Sequence, residues 1–411
     1  MFLKIGIAAP FETSSLADLI GSQAKVLPAG YPGAPMIGVL ARALIQRGHQ
    51  VSLYTTDSSL IPAQRDPVVF KNEHLTIYYC PVRPRSFTPQ DGMVGRMVDF
   101  YRLERRGLTQ SILKDQPDIV HAHWAYEFAW AAMESGLPNI VTFHDSPLRV
   151  LRYMTNLYRL GRYFMARHTI RAAKLVTTVS PYMQVEILRL SGRNVELVPN
   201  GLEEDWFSIA LSPNSRDLLQ PQIAMVLNGW DRLKNAKPAL QAFALIRQGI
   251  PQAELHLFGA GFATNGPAEQ WCYENGITGG LHFHGKIPYS ELKHRLAKMT
   301  LLIHPSLEES FGMTIAEAMA LALPVVGGSE SGAVPWLLEY GQAGLLVNVK
   351  DSAQIAEVVL KLFSEPQHYY ALAFAAQASA RKRFLVSAVA EQYESFYKHV
   401  IGEVRQNERA K

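Results

Sequence analysis

Short β-branched runs alternate with helical patterns along all 411 residues, and few folds accommodate that alternation. In the first half the strand candidates are LKIGIAA (3–9), QVSLYTT (50–56), LTIYYC (75–80), DIVHAH (118–123), NIVTFH (139–144), LVTTVS (175–180) and VELVP (195–199). Between the first two lies MIGVLARALIQRGHQ, an amphipathic helix that Gly48 closes. The second half repeats the theme with QIAMVLNG (222–229), AELHLFG (253–259), LHFHG (281–285), LLIHPS (301–306), PVVGG (324–328) and GLLVN (344–348). Such a chain builds parallel sheets covered by helices.

The length exceeds one ordinary core, and the stretch LSPNSRDLLQPQ, rich in Pro, Ser and Asn, reads as a linker between two domains. The expected domains are 1–210 and 211–387, with a C-terminal helix over about 388–411 packing back on the first. In doubly wound domains of this kind a ligand sits at the carboxyl ends of the strands, in the cleft between the two.

With 48% apolar and 18% charged residues, the composition is that of a soluble enzyme. Cys80 and Cys272 match no metal-binding or CxxC spacing and read as reduced core residues of a cytoplasmic protein. No apolar run approaches the roughly 20 residues that span a bilayer. The net charge of +4 resides in residues 1–210, with 22 Lys and Arg against 18 Asp and Glu, which suggests that this half meets something anionic.

One stretch carries chemistry. In SLEESFGMTIAEAMA, Glu309 lies in the loop after a strand, and Ser310, Phe311 and Gly312 lead into a helix predicted over 313–323. The N–H groups at a helix start favour an anion such as a diphosphate. Gly312 lets a ligand approach the backbone. Glu317, one turn inside, reaches towards the same mouth. Carboxylates accept hydrogen bonds from paired sugar hydroxyls, so a diphosphate flanked by hydroxyl-rich groups, a nucleotide sugar, suits the stretch. A solvated loop charge and a surface helix residue are the alternative reading.

The order Pro305-Ser306, Glu309, Phe311-Gly312, Glu317-Ala318-Met319-Ala320, Pro324-Val325-Val326 resembles the signature of the retaining glycosyltransferases of family 4. HAHW (121–124), TFHD (142–145), PNG (199–201), FGAG (258–261) and FHGKIP (283–288) fall in the same family order. The resemblance implies an α/β fold of the GT-B type, two facing Rossmann-like doubly wound domains with an interdomain cleft. It implies that Glu309 meets hydroxyls of the donor sugar, that Glu317 meets the ribose, and that Phe311, Gly312 and Met313 bring backbone N–H groups to sugar and phosphate. His123 would stand near the anomeric region with His144 beside it, Gly33 of PAGYPGAPM under the phosphates, and Ile287, with His284 and Lys286, at the nucleobase. His121 reads as structural.

The family's Gly-Arg … Lys-Gly pattern is altered here to NGWDRLKN (228–235). Lys234 aligns, Trp230 takes the arginine position, Asn235 replaces the glycine, and Arg232 is the candidate replacement cation. No Asp-x-Asp or metal-ligand spacing occurs, so no metal or other cofactor is expected and fixed cations are favoured for the leaving diphosphate.

These readings predict a metal-independent hexosyltransferase using a nucleotide-diphospho sugar, UDP-linked, with a glycan or lipid-linked acceptor and no nucleic acid. The alternatives are a catalytically silent nucleotide-sugar-binding subunit and a hydrolase or epimerase on the same fold. Residues 146–174 hold seven Arg or Lys and no acid. On one helical wheel Arg149, Arg152, Arg159, Arg167, Arg171 and Lys174 share an arc opposite Val150, Met154, Leu157, Phe164 and Met165, a pattern that suits contact with an anionic inner membrane face.

Overall fold

The computed structural model describes residues 2–60, 66–89 and 92–409. Two compact units divide it: unit 1 is Met1–Gly201 with Val386–Lys411, and unit 2 is Leu202–Leu385.

Among the described residues, unit 1 is built on an eight-stranded sheet of β1 (Lys4–Ala8), β2 (Gln50–Asp57), β3 (Val68–Lys71), β4 (Leu75–Pro81), β5 (Ile119–His123), β6 (Asn139–Phe143), β7 (Leu175–Thr178) and β8 (Glu196–Leu197), in the order β3-β4-β2-β1-β5-β6-β7-β8. All neighbours are parallel except β3, which runs antiparallel to β4 at the edge. Every residue of β4, β5 and β6 is buried, as expected of strands covered on both faces. The helix Pro35–Gln46 begins on its proline and buries Ile37, Leu40, Ala41 and Leu44, one stripe at helical spacing. Strand β3 has no counterpart in the sequence reading because Phe70 alone of its four side chains is buried, which leaves no periodicity to read.

The helix Val386–Arg409 belongs to unit 1 and fills its core with Val389, Ala390, Tyr393, Tyr397, Val400 and Ile401. Its polar atoms are matched as well. Tyr397 Oη lies 2.7 Å from His121 Nδ1, and Glu394 forms an ion pair with Arg47.

Unit 2 has a six-stranded parallel sheet of β9 (Gln222–Val226), β10 (Glu254–Phe258), β11 (Leu281–Gly285), β12 (Leu301–His304), β13 (Val325–Gly328) and β14 (Leu345–Val347), in the order β11-β10-β9-β12-β13-β14. The segment 211–222, expected to be a linker, lies inside this unit. Arg216 is buried, and its Nη2 donates to the carbonyl of Leu321 at 2.8 Å while Nη1 reaches Ala322, at the free end of the helix Met313–Ala320. One guanidinium that satisfies orphan carbonyls thus draws an aperiodic stretch into a domain. The crossings between units fall at 201/202 and 385/386, not at 210/211 and 387/388.

The basic segment is also not one helix. It forms Pro147–Tyr153 and Leu157–Ala172, each started by a side-chain cap, Ser146 Oγ for the first and Asn156 Oδ1 for the second. No described helix is long and apolar enough to cross a membrane.

Candidate active site

The central strand β12 ends at His304, and the loop beyond it carries Glu309. Two side chains converge on Glu309 Oε1: the Lys234 ammonium, Nζ at 3.1 Å, and the His304 ring, Nε2 at 3.1 Å. Burial alone would push this carboxyl up, but Lys234 and His304 overcome it and hold the group well below the usual carboxylate range. The loop is itself fixed from the backbone. Glu309 O accepts the N–H of Ala333 at 2.8 Å, and a Cβ on Gly332 would stand 2.4 Å from that oxygen, so the neighbouring SGA turn requires glycine.

Lys234 is delivered by the loop after β9. Its N–H bonds Asp231 Oδ1 at 3.0 Å, and Leu233 O accepts Leu307 N–H at 2.9 Å, which ties this loop to that of Glu309. Asn235, where the family pattern has glycine, adopts φ 50°, and its Nδ2 donates to Pro305 O at 3.0 Å and Val349 O at 2.9 Å. Asparagine therefore supplies the left-handed backbone that glycine would give and adds two cross-loop bonds. Trp230 points into unit 2's aromatic packing, 5.7 Å from Phe262 and 6.0 Å from Trp271, and takes no part in the loop's charge. Arg232 is exposed and is not brought to Glu309.

Gly312 stands at the N-cap of Met313–Ala320 with φ 97°, and no side chain caps this start. The first N–H groups are thus available to an anion in the way the sequence suggests. Phe311 is buried against Phe384 and Trp336, ring centroids 5.4 and 6.2 Å away, which anchors the loop and leaves its backbone beside the helix start.

Glu317 is 2% exposed, on a helix whose residues from Ile315 to Ala320 are all buried, and is not the surface helix residue of the alternative reading. Tyr289 donates its hydroxyl to Glu317 Oε1 at 2.6 Å. Burial raises the carboxyl to about 7, against the pull of Tyr289 and Lys293. Tyr289, whose ring meets Trp206 edge-on at 5.6 Å, was not singled out from sequence; it stands one residue beyond the quoted motif FHGKIP. Ile287 itself is half-buried at the start of that loop. In FGAG, Gly259 has φ 109° and a Cβ there would meet Leu227 O at 1.9 Å, so this glycine serves close packing of the turn.

In unit 1 the histidines form a chain across adjacent strand ends. His121 uses both ring nitrogens on Tyr397 and Thr142, each at 2.7 Å, a structural role. His123 Nδ1 lies 2.8 Å from His144 Nε2, while His123 Nε2 and His144 Nδ1 are shielded and close no hydrogen bond. Burial lowers His121 and His144 to about 3 each and His123 well below its ordinary value, so all three are neutral near pH 7. Trp124, next in the chain, stacks on His144 at 4.4 Å with φ 63°, a conformation uncommon for a bulky residue and typical of functional loops. Gly33 has φ 103° with open space around it, immediately before the helix Pro35–Gln46.

Sequence reading also missed a polar cavity in unit 1, lined by Tyr31, Arg96, Tyr101, Glu104 and Glu127. Nearby, the Arg162 guanidinium lies 3.5 Å from the Tyr126 ring centroid, and Tyr126 donates to Asp145 at 3.0 Å. Glu127 Oε2 closes no hydrogen bond, and burial pushes its carboxyl up.

Two family models match the chain: Glycosyltransferase Family 4 over residues 36–206 and Glycosyl transferases group 1 over 220–365. N-acetyl-alpha-D-glucosaminyl L-malate synthase of Bacillus anthracis is 23% identical over 396 residues, covering 90% of this chain and 94% of that protein. Among solved structures, sucrose-phosphate synthase from Thermosynechococcus elongatus superposes with a TM-score of 0.75 at 17% identity, covering 97% of this chain and 99% of the other. Anabaena HepE in complex with UDP and glucose gives 0.67 at 18% identity, with 96% and 99% covered. Strand order, glutamate loop and these similarities agree: the chain is a glycosyltransferase of family 4 with the two parallel-sheet α/β units of the GT-B fold.

Proposed function

We propose that this glycosyltransferase moves a hexose, with retention, from a UDP-linked sugar to a glycan or lipid-linked acceptor of cell-surface polysaccharide or glycolipid synthesis. The observation that carries the reading is the Glu309–Lys234 pair beside the uncapped helix start at Gly312. A carboxylate for hydroxyls, an ammonium for phosphate and free N–H groups are presented together, and a solved neighbour was captured with UDP and glucose.

In this reading Glu309 orients the donor hexose through its hydroxyls, and Lys234 stabilises the charge that develops on the leaving diphosphate. Arg232, exposed on the same loop, adds charge at the phosphates when donor binds. Backbone N–H groups of Phe311, Gly312 and Met313 hold sugar and phosphate, Glu317 the ribose, and the loop at Ile287 the base. From unit 1, His123 serves the anomeric region through its unpartnered Nε2, His144 orients His123, and Gly33 leaves room under the phosphates. Fixed cations make a divalent ion unnecessary for transfer, and the leaving phosphate takes the acceptor proton, so no carboxylate nucleophile is assigned.

The acceptor side also presents apolar groups. Met154, Leu157, Leu160 and Phe164 are 42%, 72%, 38% and 53% exposed on the two helices of the basic segment, with Arg152 exposed beside them. That combination supports peripheral contact with an anionic membrane surface at the cytoplasmic face. A silent binding subunit is the second reading, since Trp230 supplies no cation. The experiment is release of UDP from UDP-hexose with and without acceptor lipid or glycan. Acceptor-dependent release supports the transferase; binding without release supports the subunit.

A further inference from the structure

Strands β9, β10 and β11 form one edge of unit 2's sheet, with β11 outermost, and they carry a side-chain group that the donor chemistry does not use. Leu255 and Leu257 of β10 point into the core, 1% and 0% exposed. Alternation sends Glu254 and His256 to the opposite face. There they share a surface with His282, which is directly opposite His256 in the register, and with His284. This face is only partly covered, and the side chains of Glu254, His282 and His256 are 41%, 42% and 15% exposed.

We propose that Glu254, His256 and His282 bind a divalent transition-metal ion of the zinc class. Each offers one ligand atom, and the three atoms lie within 4.8 Å of one another. Glu254 Oε2 is 3.4 Å from His282 Nε2 and 3.9 Å from His256 Nε2. Ligand atoms about 2.0–2.2 Å from a tetrahedral ion stand roughly 3.3–3.5 Å apart, so the first pair is already at that spacing and the second closes by a few tenths of an ångström.

Two further observations point to a ligand. His282 Nε2 is shielded from solvent yet closes no hydrogen bond. His256 has its other nitrogen engaged, with Nδ1 3.0 Å from His284 Nε2. In the structure Nε2 donates to Gln222 Oε1 at 2.7 Å, so ligation moves the His256 proton to Nδ1, where it is donated to His284, and frees the Nε2 lone pair for the ion. A hydrogen bond from the second ring nitrogen is what orients ligating histidines generally.

The rings of His256 and His282 are 12° from parallel, so the half-exposed His282 ring turns about its terminal bond to aim at the same ion. Water takes the fourth position on the open side. Two imidazoles and one carboxylate select Zn²⁺, Co²⁺, Ni²⁺ or Cu²⁺ over Mg²⁺ or Ca²⁺. Glu254 opens β10, whereas Lys234 and Glu309 follow the carboxyl ends of β9 and β12 in the same parallel sheet. The ion would therefore fasten the edge strand β11 to β10 at the opposite end from the donor site and take no part in transfer.

The test uses untagged full-length protein stripped with a chelator, then titrated with Co²⁺, Zn²⁺ and Mg²⁺ by visible absorption, calorimetry and thermal melting. One Co²⁺ or Zn²⁺ per chain, a tetrahedral Co²⁺ band and a Zn²⁺-dependent rise in Tm are expected, with no response to Mg²⁺. Glu254→Gln and His282→Gln, both at half-exposed positions, should each weaken Zn²⁺ binding at least about tenfold with unchanged circular dichroism and unchanged transfer. Failure of the wild type to take up Co²⁺ or Zn²⁺ would overturn the proposal. So would equal affinity and stoichiometry in the double variant, or equal affinity for Mg²⁺.

Discussion

Lys234 and Glu309 stand 75 residues apart in the chain and meet at 3.1 Å, with 22% and 17% of their side chains exposed. A pair this sheltered does two things at once, since it fixes two loops and presents opposite charges side by side.

Glu309→Gln keeps the shape and removes the charge. It should abolish transfer with circular dichroism unchanged, and wild-type turnover in this variant would refute the assignment. Lys234→Met should slow turnover by about 10²–10³, the usual effect of losing one preorganised charge stabiliser. It should also shift the pH profile of stability. A carboxyl held low in the folded state stabilises the fold above its unfolded pKa, and that stability is lost as pH falls through the folded value. Urea midpoints of the wild type and Lys234→Met should differ at pH 7 and converge in acid.

Glu317 has the opposite sign. Its folded carboxyl sits at about 7, above the unfolded value, so its contribution is full below an unfolded pKa of about 4.3 and is lost as pH rises to about 7. Relative to Glu317→Gln, which cannot titrate, the wild type should lose stability between about pH 5 and pH 7.5 in parallel denaturation series. The same substitution should weaken UDP binding by about 1–3 kcal/mol through lost charged hydrogen bonds. Parallel pH profiles for the two proteins would contradict the assignment.

Transfer should survive EDTA at a temperature well below unfolding, because Lys234 and the helix start at Gly312 supply the positive potential. Loss of activity restored by Mn²⁺ or Mg²⁺ would show that the diphosphate needs an ion. A fall in Tm on chelation without a fall in rate is the pattern expected if the edge-strand site is loaded.

Membrane contact should depend on the exposed groups of the basic segment. Arg149 is held by Glu186 at 3.0 Å, and Arg162 is seated on Tyr126, so both are poor probes of a surface role. Arg152→Gln with Leu157→Ser and Phe164→Ser should abolish co-sedimentation with anionic vesicles at low salt without changing soluble-acceptor kinetics. Equal recovery of wild-type protein on neutral and anionic vesicles would assign these helices to scaffolding.

Much of the architecture was legible because a parallel α/β fold writes itself locally: each strand of β5 or β12 is a buried run bounded by turns. Glu309 and Lys234 were legible through motif order. What escaped were features decided by single long-range contacts. Arg216 holds an apparent linker inside a domain, and Tyr289 covers a carboxylate that its helix position alone does not show to be buried. Two caps, at Ser146 and Asn156, break a segment whose composition suggests one continuous face. Strand β3 offers one buried residue and borrows its conformation from β4.

The return of Val386–Arg409 to unit 1 sets an order of events during synthesis. The first 201 residues leave the ribosome early, but their core lacks Tyr393, Tyr397 and their neighbours until Val386–Arg409 is made. Unit 2, whose boundaries Leu202 and Leu385 pair with each other, has its whole sequence available sooner. Unit 2 can therefore close while unit 1 still waits for Val386–Arg409, a departure from the usual N-terminal-first order of domain folding.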